Sequence, residues 1–556
     1  MTDRQDELVF LPFGGLGEIG MNAALYGYGP AKSRRSILVD CGVSFAGEEA
    51  PGVDLVLPDL RWLEERKDEL EAIFITHAHE DHIGALLNLW PRLKVPVYMT
   101  RFAEGLIQAK RMGEPGAPKI PITIVAPGKP VRVGPFSVEY VPVSHSIPES
   151  HSLAIRTPAG LVVHTGDWKL DDTPLVGTPT DEATFRRLGE EGVIAAISDS
   201  TNAFREGVSP SEADVAKGLA DVIRAAPHRV AVTTFASNVA RVRAVALAAE
   251  ECGREVVVVG RALERVIAVA RELGYLDGLK AFRSADVFDK LPRDKVVALI
   301  TGSQGEPRAA LARIAEDQHP LLGLAAGDRV VFSSRLIPGN EKSVLHIMNR
   351  LAERGIEVVT DSQGLVHVSG HPRRGEIAKL YEWLRPNCVI PAHGEAMHLA
   401  EHARYARSLG VPSSFVVRNG QMARLWPGSP EIVDNVPTGR LYKDGDVIVD
   451  ERDRGIPERR KLAFAGLVSI AIAIDDKGEV CGEAALDVIG LPARTKDGKD
   501  LVDAIADTVA RTLDGLSRQK RRDSDFVETV VGRSVRSVVQ AAWGKKPACH
   551  VLVVEV

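Results

Sequence analysis

Short apolar runs recur along the first two hundred positions, and most end on polar, chemically competent side chains. Leu8-Val9-Phe10-Leu11 leads into Gly14-Gly15-Leu16-Gly17-Glu18-Ile19-Gly20; Ser36-Ile37-Leu38-Val39 closes on Asp40; Leu70 to Ile75 closes on Thr76-His77-Ala78-His79-Glu80-Asp81-His82. Residues 136–143 end in Ser144-His145-Ser146, residues 160–164 in Thr165-Gly166-Asp167-Trp168, and residues 193–197 in Ser198-Asp199-Ser200-Thr201-Asn202. Runs of this length read as buried strands, with further strands over 95–99, 120–125 and 131–133 and a hairpin turning at Pro158-Ala159. Several strand ends carrying His or Asp imply that those residues gather along one edge of stacked sheets.

From about Phe204 the texture changes. Ser209-Pro210-Ser211-Glu212 carries a capping residue and a proline suited to a helix start. Helices over 212–226, 238–252 and 266–273 then alternate with strands over 229–234, 255–259, 296–301 and 329–333. Such alternation predicts a parallel α/β layer. Polar strand ends resume at Leu365-Val366-His367-Val368-Ser369-Gly370-His371 and at Ala392-His393-Gly394-Glu395, each followed by a helix (375–384 and 396–409). The charged, Gly- and Pro-punctuated stretch 439–460 reads as a linker. Beyond it, strands over 462–474 and 550–556 with helices over 501–513 and 526–543 form a small α/β module.

A chain of 556 residues holds two to four domains, and 45% hydrophobic with 26% charged residues is ordinary globular composition. No apolar run approaches the roughly 20 residues that span a bilayer, and the N-terminus lacks a signal-peptide pattern, so the expected compartment is the cytoplasm. Five scattered cysteines fit a reducing compartment and leave the thiols out of metal binding. The net charge of −6 argues mildly against a nucleic-acid partner without excluding a local basic groove; Arg518-Gln519-Lys520-Arg521-Arg522 shows that positive charge does cluster. The Gly-rich turn at 14–20 lacks the βαβ context of a dinucleotide site.

The chemistry centres on residues 77–82. His77 and His79 lie two apart on an extended segment and share a face, while Asp81 and His82 fall on the turn into a helix. Neutral imidazoles and carboxylates suit Zn²⁺ or a similar divalent ion. The expected grouping places His77, His79 and His145 on one ion and Asp81, His82 and His393 on a second, with Asp167 bridging and Asp40 orienting a histidine from behind. Two divalent ions about 3.5–4 Å apart suit in-line displacement at phosphorus.

These motifs resemble a known family. THAHEDH with Asp40, SHS and GDW are similar to metallo-β-lactamase-fold hydrolases; SDST at Asp199, HVSGH at His367 and PAHGE at His393 resemble the added motifs of β-CASP nucleases. GGLGEIGMN, SRLIPGNE and the C-terminal module resemble bacterial ribonuclease J most. The resemblance implies a mixed α/β and α+β architecture. A metallo-β-lactamase αββα sandwich (1–205, completed by 361–438) would carry an inserted β-CASP α/β domain (206–360), the linker 439–460 and a C-terminal α/β oligomerisation domain (461–556). It implies a zinc-dependent ribonuclease, two ions per chain with Mn²⁺ or Mg²⁺ as alternatives. Its 5′→3′ exonuclease and endonuclease activity would act on single-stranded 5′-monophosphorylated RNA in RNA processing and decay. Asp81, Asp199 and His367 form the implied catalytic set, with His367 at the scissile phosphate assisting proton transfer. His367, Ser369, His371, Ser333 and Ser334 form the implied RNA and 5′-phosphate pocket. A homodimer or homotetramer, RNA-decay protein partners and no membrane contact are expected.

Other readings are a thioester or lactone hydrolase, a DNA-directed β-CASP nuclease and a catalytically silent RNA-binding scaffold. The first gives the α/β insertion no task, and the last is at odds with a complete ligand set.

Overall fold

The computed structural model describes residues 5–47, 49–337 and 339–556. These divide into two compact units, one within Met1–Ser44 and Val56–Leu441, the other within Phe45–Leu55 and Tyr442–Val556. In the first unit an eight-stranded sheet and a seven-stranded sheet face one another. Their facing residues form one core, including Phe10, Tyr26, Ile37, Phe74, Tyr140, Ile155, Val162, Ile197 and Ile390. The alternate side chains of the seven-stranded sheet, such as Val141, Val163 and Ala196, meet Phe185 and Leu188 of helix Glu182–Glu191 and Leu380 and Leu384 of helix Arg374–Leu384. Both faces of that sheet are therefore apolar, which is why its strands read as continuous apolar runs.

Strand Val193–Asp199 pairs in parallel with Gly160–His164 on one side and Cys388–Ala392 on the other. Between those two neighbours the chain builds a separate five-stranded parallel sheet from Val230–Thr233, Glu255–Val259, Val296–Ile300, Arg329–Phe332 and Glu357–Val359. It has its own core around Ala298, Leu311, Val330 and Leu351. Helix Glu212–Ala225 starts at the expected residue, but its cap is Ser211 and not Ser209 ahead of the proline, with Ser211 Oγ accepting from Ala213 N at 3.1 Å.

Three expectations about local structure are corrected. Residues 365–371 form no strand; the segment runs as irregular chain into helix Arg374–Leu384. The stretch 439–460 is not featureless: it contains strands Arg440–Asp444 and Val447–Asp450 and the start of helix Gly455–Ala465. That helix also takes the first residues of the strand expected over 462–474, and the strand begins only at Leu467. Charge and Gly/Pro density marked the turns here and hid short elements between them.

In the second unit, strands Leu467–Ile474, Ala485–Ile489 and Ala548–Glu555 form one sheet with Leu467–Ile474 in the middle. Helices Leu501–Asp514 and Ser524–Trp543 bury Ile505, Val509, Val531 and Val535 against Val468, Ile470, Ile472 and Val551.

Candidate functional site

Five strand ends and loops deliver the polar residues to one place in the first unit. Residues 76–82 leave strand Leu70–Phe74, His145 follows Phe136–Pro142, Asp167 follows Gly160–His164, Asp199 ends Val193–Asp199, and His393 follows Cys388–Ala392. Asp167 Oδ2 lies at the centre. It is 3.2 Å from His82 Nε2, 3.7 Å from His77 Nε2 and His393 Nε2, and 3.8 Å from His145 Nε2 and His371 Nδ1.

The expected sets form. His77, His79, His145 and Asp167 bring one donor atom each within 4.8 Å of one another, as do Asp81, His82, Asp167 and His393. A third, overlapping set, Asp167, Asp199, His371 and His393, meets the same limit and was not foreseen. No cysteine enters any of these groups among the described residues. Buried Cys41 adjoins Asp40, and burial, then the Asp40 charge, push its thiol up to about 12.

The outward nitrogens are free to converge because the others are held. His82 Nδ1 donates to Asp40 Oδ2 at 2.7 Å, while Asp40 also accepts from Thr76 N (2.8 Å) and Thr76 Oγ1 (2.9 Å). Since Thr76 Oγ1 gives its proton to Asp40, His77 Nδ1 donates to Thr76 Oγ1 at 3.0 Å. His145 Nδ1 donates to the Gly370 carbonyl at 2.6 Å, and His393 Nδ1 meets Thr201 Oγ1 at 2.8 Å. Such contacts fix the tautomer and orient the ring for a metal. The donor set fits a divalent ion, and Asp167 Oδ1, although buried, has no hydrogen-bond partner among the described residues, an otherwise costly condition.

Electrostatics agree with this packing. Burial lowers the pKa of His77 and of His145 well below the usual range, helped by neighbouring histidines, and lowers His79 to about 4. These rings are neutral with lone pairs available. Burial opposes the charged forms of Asp167 and Asp199, but the surrounding histidines outweigh it and hold both below the ordinary carboxylate range.

Two close approaches explain the glycines in the motifs. A Cβ at Gly370 would lie 2.6 Å from the His145 ring, and one at Gly42 would lie 1.7 Å from the Asp81 carbonyl. The Gly-rich turn at 14–20 also has a structural task. Leu16–Gly17 pairs with Gly394–Glu395 beside His393, and the turn leads to Asn22, whose Nδ2 donates to the Asp81 carbonyl at 3.0 Å.

His367 and His371 occupy different places from those expected. His371 stands in the cluster, its Nδ1 2.7 Å from Asp199 Oδ2. His367 belongs to none of the donor groups and lies instead beside Arg241, 3.4 Å from Nδ1 to the guanidinium. Ser369 Oγ accepts from Asn202 Nδ2 at 3.0 Å, and Asn202 Oδ1 accepts from Arg335 at 2.7 Å. Ser333 is fully buried and donates to the Val366 carbonyl at 2.7 Å, so its hydroxyl is committed to the fold, whereas Ser334 is partly exposed. Sequence reasoning missed Arg241, Arg335, Asn202 and Asn22. Arg335, Asn202 and Asn22 lay in motifs already noted, but no pattern marked Arg241.

Comparison with known proteins gives a concordant result. Family models match as a beta-lactamase superfamily domain over residues 35–183, the ribonuclease J beta-CASP domain over 227–351, a Zn-dependent metallo-hydrolase RNA specificity domain over 341–415 and the ribonuclease J C-terminal domain over 455–556. Ribonuclease J of Sinorhizobium meliloti is 53% identical over 553 residues, covering 100% of this chain and 98% of that protein. Ribonuclease J of Mycolicibacterium smegmatis is 41% identical over 554 residues, covering 98% and 96%. A crystal structure of a protein of unknown function from Enterococcus faecalis V583 shares the fold, with TM-score 0.52 at 16% identity, covering 75% of this chain and 100% of that one. The two facing sheets and the inserted parallel sheet are thus a metallo-β-lactamase fold with a β-CASP insert, and the second unit carries the ribonuclease J C-terminal domain. Matched along its whole length at this identity, the chain belongs to the ribonuclease J family.

Proposed function

We propose that this protein is a two-metal ribonuclease that degrades single-stranded 5′-monophosphorylated RNA in the 5′→3′ direction and also cuts internally, in RNA processing and decay. The observation that carries the reading is the pair of donor sets joined at Asp167, with the His371–Asp199 pair beside them. His77, His79 and His145 would hold one ion, Asp81, His82 and His393 the other, and Asp167 both; zinc fits this donor set, with Mn²⁺ or Mg²⁺ as alternatives. Bound there, the ions supply Lewis acidity that acidifies water and neutralises phosphate charge.

The chain's own residues do the rest. Asp40, Thr76, Thr201 and the Gly370 carbonyl hold the imidazoles in register. Asp81 is the most accessible acid of the cluster, with its side chain 29% exposed against 2% for Asp167, and it orients the attacking water. As water oxygen bonds to phosphorus, the bond from phosphorus to the 3′-oxygen breaks. His371 gives a proton to that oxygen. Burial opposes the charge on His371, but Asp199 and Asp167 more than offset it and raise its pKa, which favours the protonated ring. This role passes from His367 to His371 on geometry. His367, Ser334 and Ser369, supported by Asn202 and Arg335, form the 5′-phosphate pocket; Ser333 supports it from within.

Homo-oligomerisation through the C-terminal domain is part of the same reading. The sheet face opposite its helices exposes Ile489, Leu552 and Val554, a small apolar patch suited to a second copy. Neither a scaffold nor a DNA-directed enzyme is favoured by any separate feature of the site.

The test uses 5′- and 3′-labelled single-stranded RNAs with monophosphate, triphosphate or hydroxyl 5′ ends. Wild type, His77→Ala and a chelated control run side by side. Mononucleotide release from the 5′ end, fastest on monophosphate and lost in the variant, is expected. Internal fragments alone would remove the exonuclease claim, and an inert metal-loaded wild type would overturn the ribonuclease reading.

A further inference from the structure

Arg241 sits in helix Val239–Glu251 with no exposed surface. A buried guanidinium is costly unless its donors are met. Both terminal nitrogens of this one are met: Glu212 accepts at 3.1 and 3.4 Å, the carbonyls of Ser333 and Val366 at 3.1 and 3.2 Å, and Ser333 Oγ and His367 Nδ1 lie beside them, while Nε has no hydrogen-bond partner among the described residues. Glu212 is in turn 3.9 Å from Lys169 Nζ, which pairs with Asp171 Oδ2 at 3.0 Å. Asp171 accepts from the Glu212 backbone N–H at 2.9 Å. Two cations and two anions thus form a buried, neutral row. One end lies two residues from the bridging Asp167; the other grips the Ser333 and Val366-His367 segments.

Apolar side chains of matching volume would hold such an interface as well or better. What the ions add is geometry. The planar fork of Arg241 ties two segments, distant in sequence and irregular in backbone, to one fixed point. Lysine, a compact point charge without the planar fork, cannot reproduce this.

We propose that Arg241 is a positioning residue that sets 5′-end selectivity, by holding Ser333-Ser334 and His367 where a terminal phosphate is read at a fixed span from the metal cluster. This rests on the assignment of Ser334, His367 and Ser369 to the 5′-phosphate pocket.

The test compares full-length wild type with Arg241→Lys, with the charge-balanced pair Arg241→Met and Glu212→Gln, and with Ser369→Ala. The readout is the ratio of kcat/KM on 5′-monophosphate RNA to that on 5′-hydroxyl RNA, alongside the melting temperature. Both Arg241 variants are expected to lose about tenfold or more of that ratio, the scale of a lost charge-assisted contact, chiefly through KM on the monophosphate. A merely structural role would lower both substrates in proportion and leave the ratio intact, which overturns the proposal. If Ser369→Ala loses selectivity while folded Arg241→Lys keeps it, the proposal fails and the pocket stands. If Ser369→Ala also keeps it, or wild type shows no preference, the pocket assignment itself falls.

Discussion

Asp40 accepts three buried donors: Thr76 N–H, Thr76 O–H and His82 Nδ1–H. Replacing it with asparagine isolates their electrostatic role. Asp40 has φ 63°, a left-handed conformation that asparagine adopts readily, so backbone strain is not added. With the amide oxygen kept on Thr76 N–H, the amide NH₂ faces His82 Nδ1. The ring must then move its proton to Nε2, the nitrogen 3.2 Å from Asp167 Oδ2, and its metal-binding lone pair is lost. With the amide turned the other way, NH₂ meets the fixed Thr76 N–H, and a buried unsatisfied donor costs about 1–3 kcal/mol. Either way, affinity for the ion at His82 should fall about 10–100-fold, or roughly 1.4–2.7 kcal/mol. Competition with a chromophoric chelator on the full-length protein measures both sites. Asp40→Asn should retain one ion near its original affinity and hold the second weakly. Two ions bound with wild-type affinities would refute the tautomer argument.

Other outcomes follow from the same geometry. Asp199→Asn removes the main charge that raises His371; a raised pKa keeps the acid form until pH climbs through it, so the alkaline limb of the kcat profile should move to lower pH, and an unmoved limb would exclude His371 as the proton donor. Gly370→Ala would drive a Cβ to 2.6 Å from the His145 ring, costing about 1–3 kcal/mol by overpacking and reducing metal content, whereas a variant with full metal content and wild-type melting would show that the loop can yield. Chelation should lower the melting temperature, because ions that bind only the folded chain stabilise it by about 2.7 kcal/mol at a hundredfold excess over Kd; re-addition should restore it, and an unchanged melting curve would mean that the cluster holds no ion.

The sequence by itself determined the sandwich strands, the β/α alternation and the residues of the two main donor sets. The reason is that each rests on local, periodic information: strands buried on both faces are apolar throughout, and the polar residues follow at their ends. HxHxDH is legible for a related cause, since four donors packed directly after a strand, where the chain leaves Leu70–Phe74 and turns into helix Glu80–Ile83, stay close to one another. Only the tertiary structure decided what depended on segments far apart in the chain. His367 and His371 lie four residues apart in an irregular segment without a period, so nothing local told which would meet Asp199 and which would meet Arg241. Arg241 looked like one more charged position in an Ala/Val-rich helix; its burial follows from Glu212, Ser333 and Val366 closing around it, contacts spanning 29 to 125 residues. The short elements of 439–465 stayed hidden because charged, Gly-punctuated hairpins and an unpatterned helix resemble a linker until they pack.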